Sequence, residues 1–258
     1  MELSFHKYQG TGNDFIIFDN RSLSFPKNDT KLIAQLCDRR FGIGADGILL
    51  LENDNSSDFR MVYYNSDGHL GSMCGNGGRC LVAFAKSLGL VEEETRFMAS
   101  DGLHKAKVKK DQVSLGMADV YTIAKKKKAF FLDTGSPHHV QLVSDLASFD
   151  VVREGKRLRY GLYGEKGSNI NFVEQLGPDL FAVRTYERGV EDETLSCGTG
   201  VTAVAIAMSF ATLTSGSEIG IRTKGGDLKI RFKKEGTGFS EVRLEGPATF
   251  VFKGTIVC

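Results

Sequence analysis

The stretches MCGNGGRC (residues 73–80) and SCGTGVTA (residues 196–203) each place a Cys-Gly-x-Gly pattern directly before an apolar segment. Their cysteines, Cys74 and Cys197, are separated by 197 − 74 = 123 positions. Further matches follow in the same order at offsets of 122 to 124: residues 11–13 with 134–136, 44–46 with 167–169, 61–64 with 183–186, and 102 with 226. An ordered series at a nearly constant offset indicates an internal repeat. We therefore expect the chain to consist of two copies of one structural unit.

The segments that follow the two cysteines are predicted to be helices. We expect one helix over residues 76–88, with Gly89 as its C-cap, and the other over residues 199–213. The second segment is apolar on nearly all sides, which is typical of a helix that is completely buried. A sheet wrapped around each helix would bury it. The amphipathic segment 30–39 is predicted to be a helix on the outside of its unit.

Most of the remaining chain has the pattern of short strands bounded by Gly, Asn and Asp. We therefore predict an α+β fold with two pseudo-symmetric domains, each a mostly antiparallel sheet or barrel wrapped around a central apolar helix. Residues 1–118 and 119–247 are the expected domains, and the C-terminal strand at about 248–258 is a candidate to pack on the first. The predicted strands include residues 15–18, 48–51, 59–64, 113–115, 129–132, 171–173, 180–186 and 228–232.

Composition narrows the class of protein. The chain has 258 residues and a formal net charge of +1. Because this net charge is so small, the protein has no overall electrostatic field that would attract nucleic acid or a membrane surface. The N-terminal segment lacks the pattern of a secretory signal, and no apolar run is long enough to span a bilayer. Five cysteines, an odd number, indicate reduced thiols in a cytoplasmic protein rather than a disulfide framework. We expect neither nucleic acid nor a membrane as a partner.

The sequence contains neither a glycine-rich dinucleotide loop with its downstream acid nor a Walker loop. Cys74 and Cys80 have five residues between them, which is not a usual spacing for zinc ligands. We therefore expect a protein that uses no cofactor and no metal.

Each cysteine of the repeated pattern is expected at the N-terminus of a helix. Backbone N–H groups of the first turn and the helix dipole favour a thiolate there and bind anionic groups such as a carboxylate. A single buried cysteine is more often a packing residue. A matched pair, however, fits a reaction that needs a base and an acid. Inversion of a stereocentre is such a reaction, because one thiolate removes the α-proton while the other thiol donates a proton to the opposite face.

The motifs of the chain resemble those of the diaminopimelate epimerase family over nearly the whole sequence. They are GTGNDF (10–15), FGIGADG (41–47), YNSDG (64–68), MCGNGGR (73–79), TGSPH (134–138), NINF (169–172), YERG (186–189) and ETLSCGTG (193–200). The resemblance implies interconversion of LL- and meso-diaminopimelate without pyridoxal phosphate, in lysine and peptidoglycan precursor biosynthesis. It also implies a homodimer whose substrate is a small molecule.

The resemblance extends to individual residues. Cys74 and Cys197 match the two acid/base thiols of the family, and His138 and Glu187 match further residues of its catalytic site. The positions that match substrate-binding residues are Asn13, Asn65, Gly75, Asn76, Asn169, Glu187, Arg188, Gly198 and Thr199. Either thiol can be the thiolate at rest, because two such sites titrate as a pair.

Three positions depart from the usual family pattern. Ser136 stands where the family usually has Asn, and Asp192 and Ser196 replace Gly and Ala ahead of the second cysteine. In the family, this position helps to hold the distal end of the substrate, so an epimerase or racemase of another amino acid stays an alternative. A binding or redox-switch protein that uses the thiols for regulation is a second alternative.

Overall fold

The structure is a computed structural model that describes residues 2–258. The chain divides into two compact units. The first comprises the chain up to Leu115 together with Gly246–Cys258, and the second comprises Gly116–Glu245. None of the helices within the described range is long and apolar enough to cross a membrane.

The first part of the chain contains seven strands and two helices. In order they are β1 (Glu2–Gly10), β2 (Asn13–Asp19), α1 (Thr30–Cys37), β3 (Gly47–Glu52), β4 (Phe59–Asn65), α2 (Gly75–Ser87), β5 (Glu94–Ala99), β6 (Gly102–Lys109) and β7 (Gln112–Gly116). All three helices expected from the sequence are present, and α2 begins and ends within one residue of its prediction.

The second part continues with nine strands and two helices, and a last strand returns to the first unit. In order they are β8 (Ile123–Lys125), β9 (Phe130–Asp133), β10 (Pro137–Leu142), α3 (Val151–Tyr163), β11 (Asn169–Gly177), β12 (Leu180–Glu187), β13 (Asp192–Thr194), α4 (Gly198–Phe210), β14 (Glu218–Thr223), β15 (Gly226–Glu235), β16 (Gly238–Pro247) and β17 (Thr249–Val257).

The order of strand pairing is the same in the two units. In the first, the series β17-β1-β2-β3-β4-β5-β6-β7 is parallel at β2–β3 and β4–β5 and antiparallel elsewhere. In the second, the series β8-β9-β10-β11-β12-β14-β15-β16 is parallel at the same two places, β10–β11 and β12–β14. In each unit, one helix precedes the second strand of the first parallel pair: α1 precedes β3, and α3 precedes β11. The other helix precedes the second strand of the second parallel pair: α2 precedes β5, and α4 precedes β14. This correspondence confirms the predicted duplication and the α+β fold.

Strands of the first unit are buried on both faces, which places one helix on each side of them. Ile16 of β2 and Ile48 of β3 pack in one apolar cluster with Ile33 of α1. On the opposite face, Leu49 lies beside Gly77 of α2, where an added Cβ would be 3.3 Å from its side chain. The helix α1 therefore covers the outside of the sheet, while α2 contacts β1, β2, β3, β4, β6 and β17 from within.

The second unit repeats this arrangement. Ile170 and Phe172 of β11 pack with Leu158 of α3, whereas Val173 joins the cluster around α4. The central helix α4 contacts β9, β10, β11, β12, β14 and β15. Its residues from Gly200 to Ser209 are all buried, as expected of a helix that is apolar on nearly all sides.

Three helices differ from the sequence predictions, and the first is α1, which ends at Cys37 rather than at residue 39. The helix α4 ends at Phe210 rather than at residue 213, because Thr212 adopts φ 60° and the Leu213 N–H bonds Met208 O at 3.0 Å. This left-handed turn closes the helix with a bond back to its last turn. The helix α3 was not predicted at all, and its first turn is capped by the Asp150 side chain, which accepts from the Arg153 N–H.

Candidate active site

Both repeated cysteines occupy the N-cap of a central helix. Cys74 precedes α2 with φ −114° and ψ 118°, and Cys197 precedes α4 with φ −121° and ψ 113°. Each carbonyl accepts the first helical hydrogen bond, from Gly78 N at 2.8 Å and from Val201 N at 2.9 Å. The N–H groups before those donors have no partner in the helix backbone and point out of its end. Each thiol therefore lies beside a group of donors suited to an anion.

In the first unit, Asn13 connects the cysteine to the helix. Its Oδ1 accepts from Cys74 Sγ at 3.5 Å and from Asn76 Nδ2 at 3.2 Å. Its own Nδ2 donates to Asp46 Oδ2 at 2.7 Å, which orients the amide with its oxygen toward the helix end. The structure thus brings together three residues that the sequence singled out, Asn13, Cys74 and Asn76.

Asn65, a predicted substrate-binding residue, lies elsewhere in the same unit at the end of β4. Its side chain is exposed, and its backbone N–H donates to His69 O at 2.9 Å across a turn. An added Cβ on Gly71 would lie 3.2 Å from Asn65 Oδ1, so this turn holds the amide closely. An exposed amide can both donate hydrogen bonds to a polar ligand and accept them from it.

In the second unit, side-chain alternation along β11 creates a polar site on the face toward α4. Successive strand residues point to opposite faces. Ile170 and Phe172 face α3, so Asn169, Asn171 and Val173 share the face of the central helix. Both asparagines are buried, and they precede Val173, which packs against α4.

Gly200 of α4 lies directly against this site. A Cβ at that position would be 2.6 Å from Asn171 Oδ1 and 3.3 Å from Cys197 Sγ. The first separation is too short for any side chain, so only glycine permits this approach. Asn171 is held in place because its Nδ2 donates to His139 O at 2.9 Å and its Oδ1 accepts from Thr185 Oγ1 at 2.9 Å.

His138 lies between the two asparagines and is completely buried. Its Nδ1 is 3.2 Å from Asn171 Nδ2, and its Nε2 is 3.4 Å from Asn169 Nδ2. Burial, together with the positive charge of Arg188, lowers the pKa of His138 to about 3. The imidazole is therefore neutral at physiological pH, and it packs between the amides without adding a charge.

Asn169 also joins two other predicted residues. Its Nδ2 donates to Ser136 Oγ at 3.0 Å, and its Oδ1 accepts from the backbone N–H of Arg188 at 2.8 Å. Glu187 precedes Arg188 at the end of β12, where its Oε2 accepts from Thr194 Oγ1 at 2.9 Å. Hydrogen bonds thus join Ser136, Asn169 and the backbone of Arg188 in one polar network, and Glu187 directly precedes that backbone at the end of β12.

Cys197 is only 7% exposed, and its Sγ lies 3.5 Å from Thr199 Oγ1. The Thr199 carbonyl accepts from Thr134 Oγ1 at 2.8 Å, so a loop side chain fixes the first turn of α4. Within residues 2–258, no three His, Cys, Asp or Glu side chains are grouped to hold a metal ion.

Four residues of these sites were not among the predicted site residues. Asn171 shares a strand face with Asn169, so the two-residue period of a strand is the signal that could have indicated it. Thr134 and Thr11 appear in the sequence only within repeat matches and family motifs, yet each bonds its central helix. Thr134 Oγ1 donates to Thr199 O, and Thr11 Oγ1 accepts from Arg79 Nη2. Arg79 itself gave no signal beyond its place in a motif.

Comparison with solved structures identifies the fold. A phenazine biosynthesis protein of the PhzF family from Bacillus anthracis aligns over 100% of both chains with a TM-score of 0.76 and 14% identity. A hydroxyproline epimerase from Agrobacterium vitis aligns over 99% of this chain and 92% of its own with a TM-score of 0.71 and 15% identity. These likenesses define the class of fold, a duplicated two-unit α+β architecture, in which this chain places a cysteine at the N-cap of each central helix.

Sequence comparison then identifies the family within this class. The family model described as diaminopimelate epimerase matches residues 5–123 and 130–251. The diaminopimelate epimerase of Flavobacterium psychrophilum is 57% identical over 98% of this chain and 100% of its own length. That of Chlorobaculum tepidum is 42% identical over 96% of this chain and 98% of its own. The chain belongs to the diaminopimelate epimerase family.

Proposed function

We propose that this protein interconverts LL- and meso-2,6-diaminopimelate by a two-base mechanism, in the synthesis of lysine and peptidoglycan precursors. The proposal depends on one observation above all: each unit of the duplicated fold places one cysteine, Cys74 or Cys197, at the N-cap of its central helix in the same backbone conformation. The names of the relatives supply the substrate.

In the proposed reaction one cysteine is a thiolate and the other a thiol. The thiolate takes the α-proton, so an S–H bond forms as the Cα–H bond breaks and the electron pair stays on the substrate. The other thiol delivers its proton to the opposite face of the same carbon and becomes the thiolate. No proton is lost or gained overall, and the two thiols have exchanged states.

The developing negative charge is stabilised by the helix ends. We propose that backbone N–H groups at Gly75 and Asn76 and at Gly198 and Thr199 hold the carboxylate next to the reacting carbon. Those donors lie in the first turns of α2 and α4, directly after the cysteines. Because the helices are buried, the donors are already oriented and need no rearrangement when charge develops.

The remaining polar residues are proposed to hold the rest of the substrate. Arg188 is exposed and can bind the distal carboxylate with its guanidinium, while Glu187 can accept from an ammonium group. The amides of Asn13, Asn65 and Asn169 complete the proposed set of substrate contacts.

His138 is proposed to act at this site in its neutral form. Its ring nitrogens lie against Asn169 and Asn171, and the latter is in contact with Gly200 beside Cys197. The imidazole therefore positions the amides around the second thiol. Its low pKa keeps a competing positive charge away from them.

Deuterium incorporation tests the proposal directly. The protein in deuterated water, given LL-diaminopimelate, should place deuterium at the α-carbon and produce the meso isomer. The variants Cys74→Ala and Cys197→Ala should lose turnover by at least about a thousandfold, because each lacks one proton carrier. Cys258→Ala, an exposed cysteine at the chain end, serves as the control. Normal turnover by either N-cap variant contradicts the two-thiol mechanism.

A second candidate is an epimerase or racemase of another amino acid. Ser136 supports it, because this short side chain occupies the place where the family usually has Asn and bonds the Asn169 amide. A panel of amino acids, including proline derivatives, followed by polarimetry separates the candidates. Deuterium exchange only with a substrate other than diaminopimelate favours the second. Thiol oxidation with no exchange of any α-proton favours a redox switch instead.

We further propose that the protein is a homodimer and works in the cytoplasm. Phe250 and Phe252 of β17 are 47% and 44% exposed, so this strand offers apolar contact surface. Sedimentation should give the mass of two chains for the native protein and of one for Phe250→Glu.

The proposed cytoplasmic location suits the two reactive thiols, because a reducing compartment keeps them from forming disulfides. Cell fractionation tests the location.

A further inference from the structure

The ring of Tyr63, in β4, is wedged between two glycines of the first unit. A Cβ added to Gly47 would lie 2.6 Å from Tyr63 Cε2, and one added to Gly71 would lie 2.3 Å from Tyr63 Cδ1. These carbons belong to opposite edges of the ring. Both distances are well below the roughly 3.5–4.0 Å of a contact between carbon atoms, so a side chain at either position would displace the ring.

Gly71 is explained by this ring rather than by its backbone. It is not among the glycines with positive φ, so other residues could adopt its conformation. The two atoms nearest to its added Cβ are Tyr63 Cδ1 and Cε1, at 2.3 and 2.5 Å. At Gly47 the backbone contributes as well, because Tyr64 O would lie 2.4 Å from an added Cβ. Position 71 therefore lacks a side chain because the Tyr63 ring occupies its space.

The wedged ring lies on the sheet face that carries two proposed substrate residues. Tyr63 and Asn65 are two residues apart in β4, so they point to the same face. Gly47 of β3 pairs with Asn65 on one side and with Phe15 on the other. The Phe15 ring meets the Tyr63 ring edge-on, with centroids 5.9 Å apart. Asn13 precedes Phe15 by two residues and shares its face, so the ring lies over the strand between the two asparagines.

Gly71 links this ring to Asn65 and to the chain that leads to Cys74. Its N–H donates to Tyr63 O at 2.8 Å, which directs the segment after the turn back along β4. Its added Cβ would lie 3.2 Å from Asn65 Oδ1, so the same glycine borders the substrate amide. Cys74 follows Gly71 by three residues, and three residues of chain span at most about 11 Å. The position of Gly71 therefore limits how far Cys74 lies from the Asn65 amide.

The size of the ring sets the position of Gly71. A smaller side chain at Tyr63 would leave a gap between Gly47 and Gly71, and a packed structure relaxes partly into such a gap. The turn that contains Asn65 would then move relative to β3, together with the segment that ends at Cys74. A ligand that contacts both residues at once would experience this movement as a change in the length that fits.

We propose that Tyr63 is a positioning residue that sets the separation between Cys74 and the Asn65 amide, and that it thereby selects substrates by their length. As a statement about the substrate, this rests on the proposed function. The favoured substrates carry polar groups at both ends of a chain of fixed length, as diaminopimelate does. A homologue shorter by one methylene, 2,5-diaminoadipate, does not reach both points. Tyr63 acts through Gly71 and the Asn65 turn and carries no proton in the reaction.

Discrimination between these two compounds tests the proposal. The measured quantity is the ratio of kcat/KM for diaminopimelate to kcat/KM for 2,5-diaminoadipate, each followed by exchange of the α-proton. One methylene changes such a ratio by about 10- to 200-fold, and we expect the ratio to fall at least about tenfold in Tyr63→Leu. A variant that was only less stable would lower both values and leave the ratio in place.

Three further variants separate the wedge from other effects. Tyr63→Phe keeps the ring between the glycines and should keep the native ratio. Gly71→Ala displaces the ring from one edge and should lower the ratio as Tyr63→Leu does. Gly161→Ala, in α3 where nothing is within 4 Å of an added Cβ, should leave the ratio unchanged. The native ratio retained in folded Tyr63→Leu overturns the proposal.

Hydrogen exchange at the Gly71 N–H tests the same contact without substrate. This amide should be protected in the native protein and in Tyr63→Phe, and it should exchange at least about tenfold faster in Tyr63→Leu. A native protein inactive toward both compounds contradicts the proposed function, and the exchange rate then still decides whether Tyr63 positions Gly71. If Tyr63→Leu does not fold, the native protein decides. Equal kcat/KM for the two compounds, or exchange at Gly71 as fast as in an unstructured chain, overturns the proposal.

Discussion

The side-chain amide of Asn169 donates to Ser136 Oγ at 3.0 Å, while its oxygen accepts from the backbone N–H of Arg188 at 2.8 Å. Asn169 is therefore held from both ends by residues of the proposed substrate site. Ser136 is also one of the three positions at which this chain departs from the usual family residue. The two observations connect the departure to substrate binding rather than to the thiol chemistry.

Ser136→Ala should weaken substrate binding. Without the Oγ acceptor, the Asn169 amide loses one of the hydrogen bonds that hold it, and one hydrogen bond of this kind corresponds to about 1 kcal/mol. We expect the KM for diaminopimelate to rise about fivefold with little change in kcat, because the contact forms equally in the ground and transition states. Steady-state kinetics measure this, and Ser22→Ala, at an exposed serine, is the control. A fall in kcat at constant KM contradicts this explanation.

Gly200→Ala should inactivate the protein. The new Cβ would lie 2.6 Å from Asn171 Oδ1 and 3.2 Å from Cys197 Cβ, so Asn171 and the N-cap must move apart. Such overpacking costs about 1–3 kcal/mol of stability, and we expect at least about a hundredfold loss of kcat because the thiol is displaced.

Gly161→Ala provides a matched control in a different helix. Gly161 lies within α3, and nothing is within 4 Å of an added Cβ there. Ala is favoured over Gly in a helix, so the free energy of unfolding should rise by up to about 1 kcal/mol with activity retained. Equal activity in the two glycine variants would show that the approach of Asn171 to α4 is unimportant.

The two central helices and the duplication could be predicted because their signals are local and repeated. Cys74 and Cys197 recur at a fixed offset, and α4 is apolar on nearly every side. The helix α3 has no such signal, since charged residues and two glycines dominate its sequence. One of them, Gly155, is explained only by tertiary contact, because its Cβ would be 2.4 Å from Tyr186 Cβ.

The roles of the buried polar residues Asn171 and Arg79 could not be predicted from the sequence for a related reason. Asn171 obtains its partners from other strands, at Thr185 and at His139. Arg79 reads as an ordinary polar helix residue, and only the fold shows that it is buried with neutral partners. Long-range contacts decide the role of such residues, and a single sequence contains no record of those contacts.

Asn171→Ala should destabilise the second unit. The Thr185 hydroxyl and the His139 carbonyl would both lose a buried partner, and each such loss costs about 1–3 kcal/mol. We expect urea denaturation to show a decrease of about 3 kcal/mol in the free energy of unfolding. Asn53→Ala, which removes an exposed amide bonded to Arg21 O, should change it by less than about 0.5 kcal/mol. Similar values for the two variants would contradict the assigned role of Asn171.

His138 should make the folded state sensitive to acid. Its pKa is about 3 in the folded protein, against 6.5 for an unperturbed histidine. Below pH 6.5 the unfolded chain therefore binds a proton that the folded chain does not. Stability from the neutral imidazole is complete above pH 6.5 and is lost progressively as the pH falls toward 3.

Replacing His138 by Gln removes this proton uptake while keeping a polar side chain. Between pH 6 and 4 the free energy of unfolding of the native protein should fall more steeply than that of His138→Gln, by about 1 kcal/mol for each pH unit. Urea denaturation at several pH values measures both slopes. His69→Gln, at an exposed histidine, should keep the native slope. If His138→Gln also keeps it, His138 is protonated in the folded state, and its proposed neutral role between Asn169 and Asn171 is wrong.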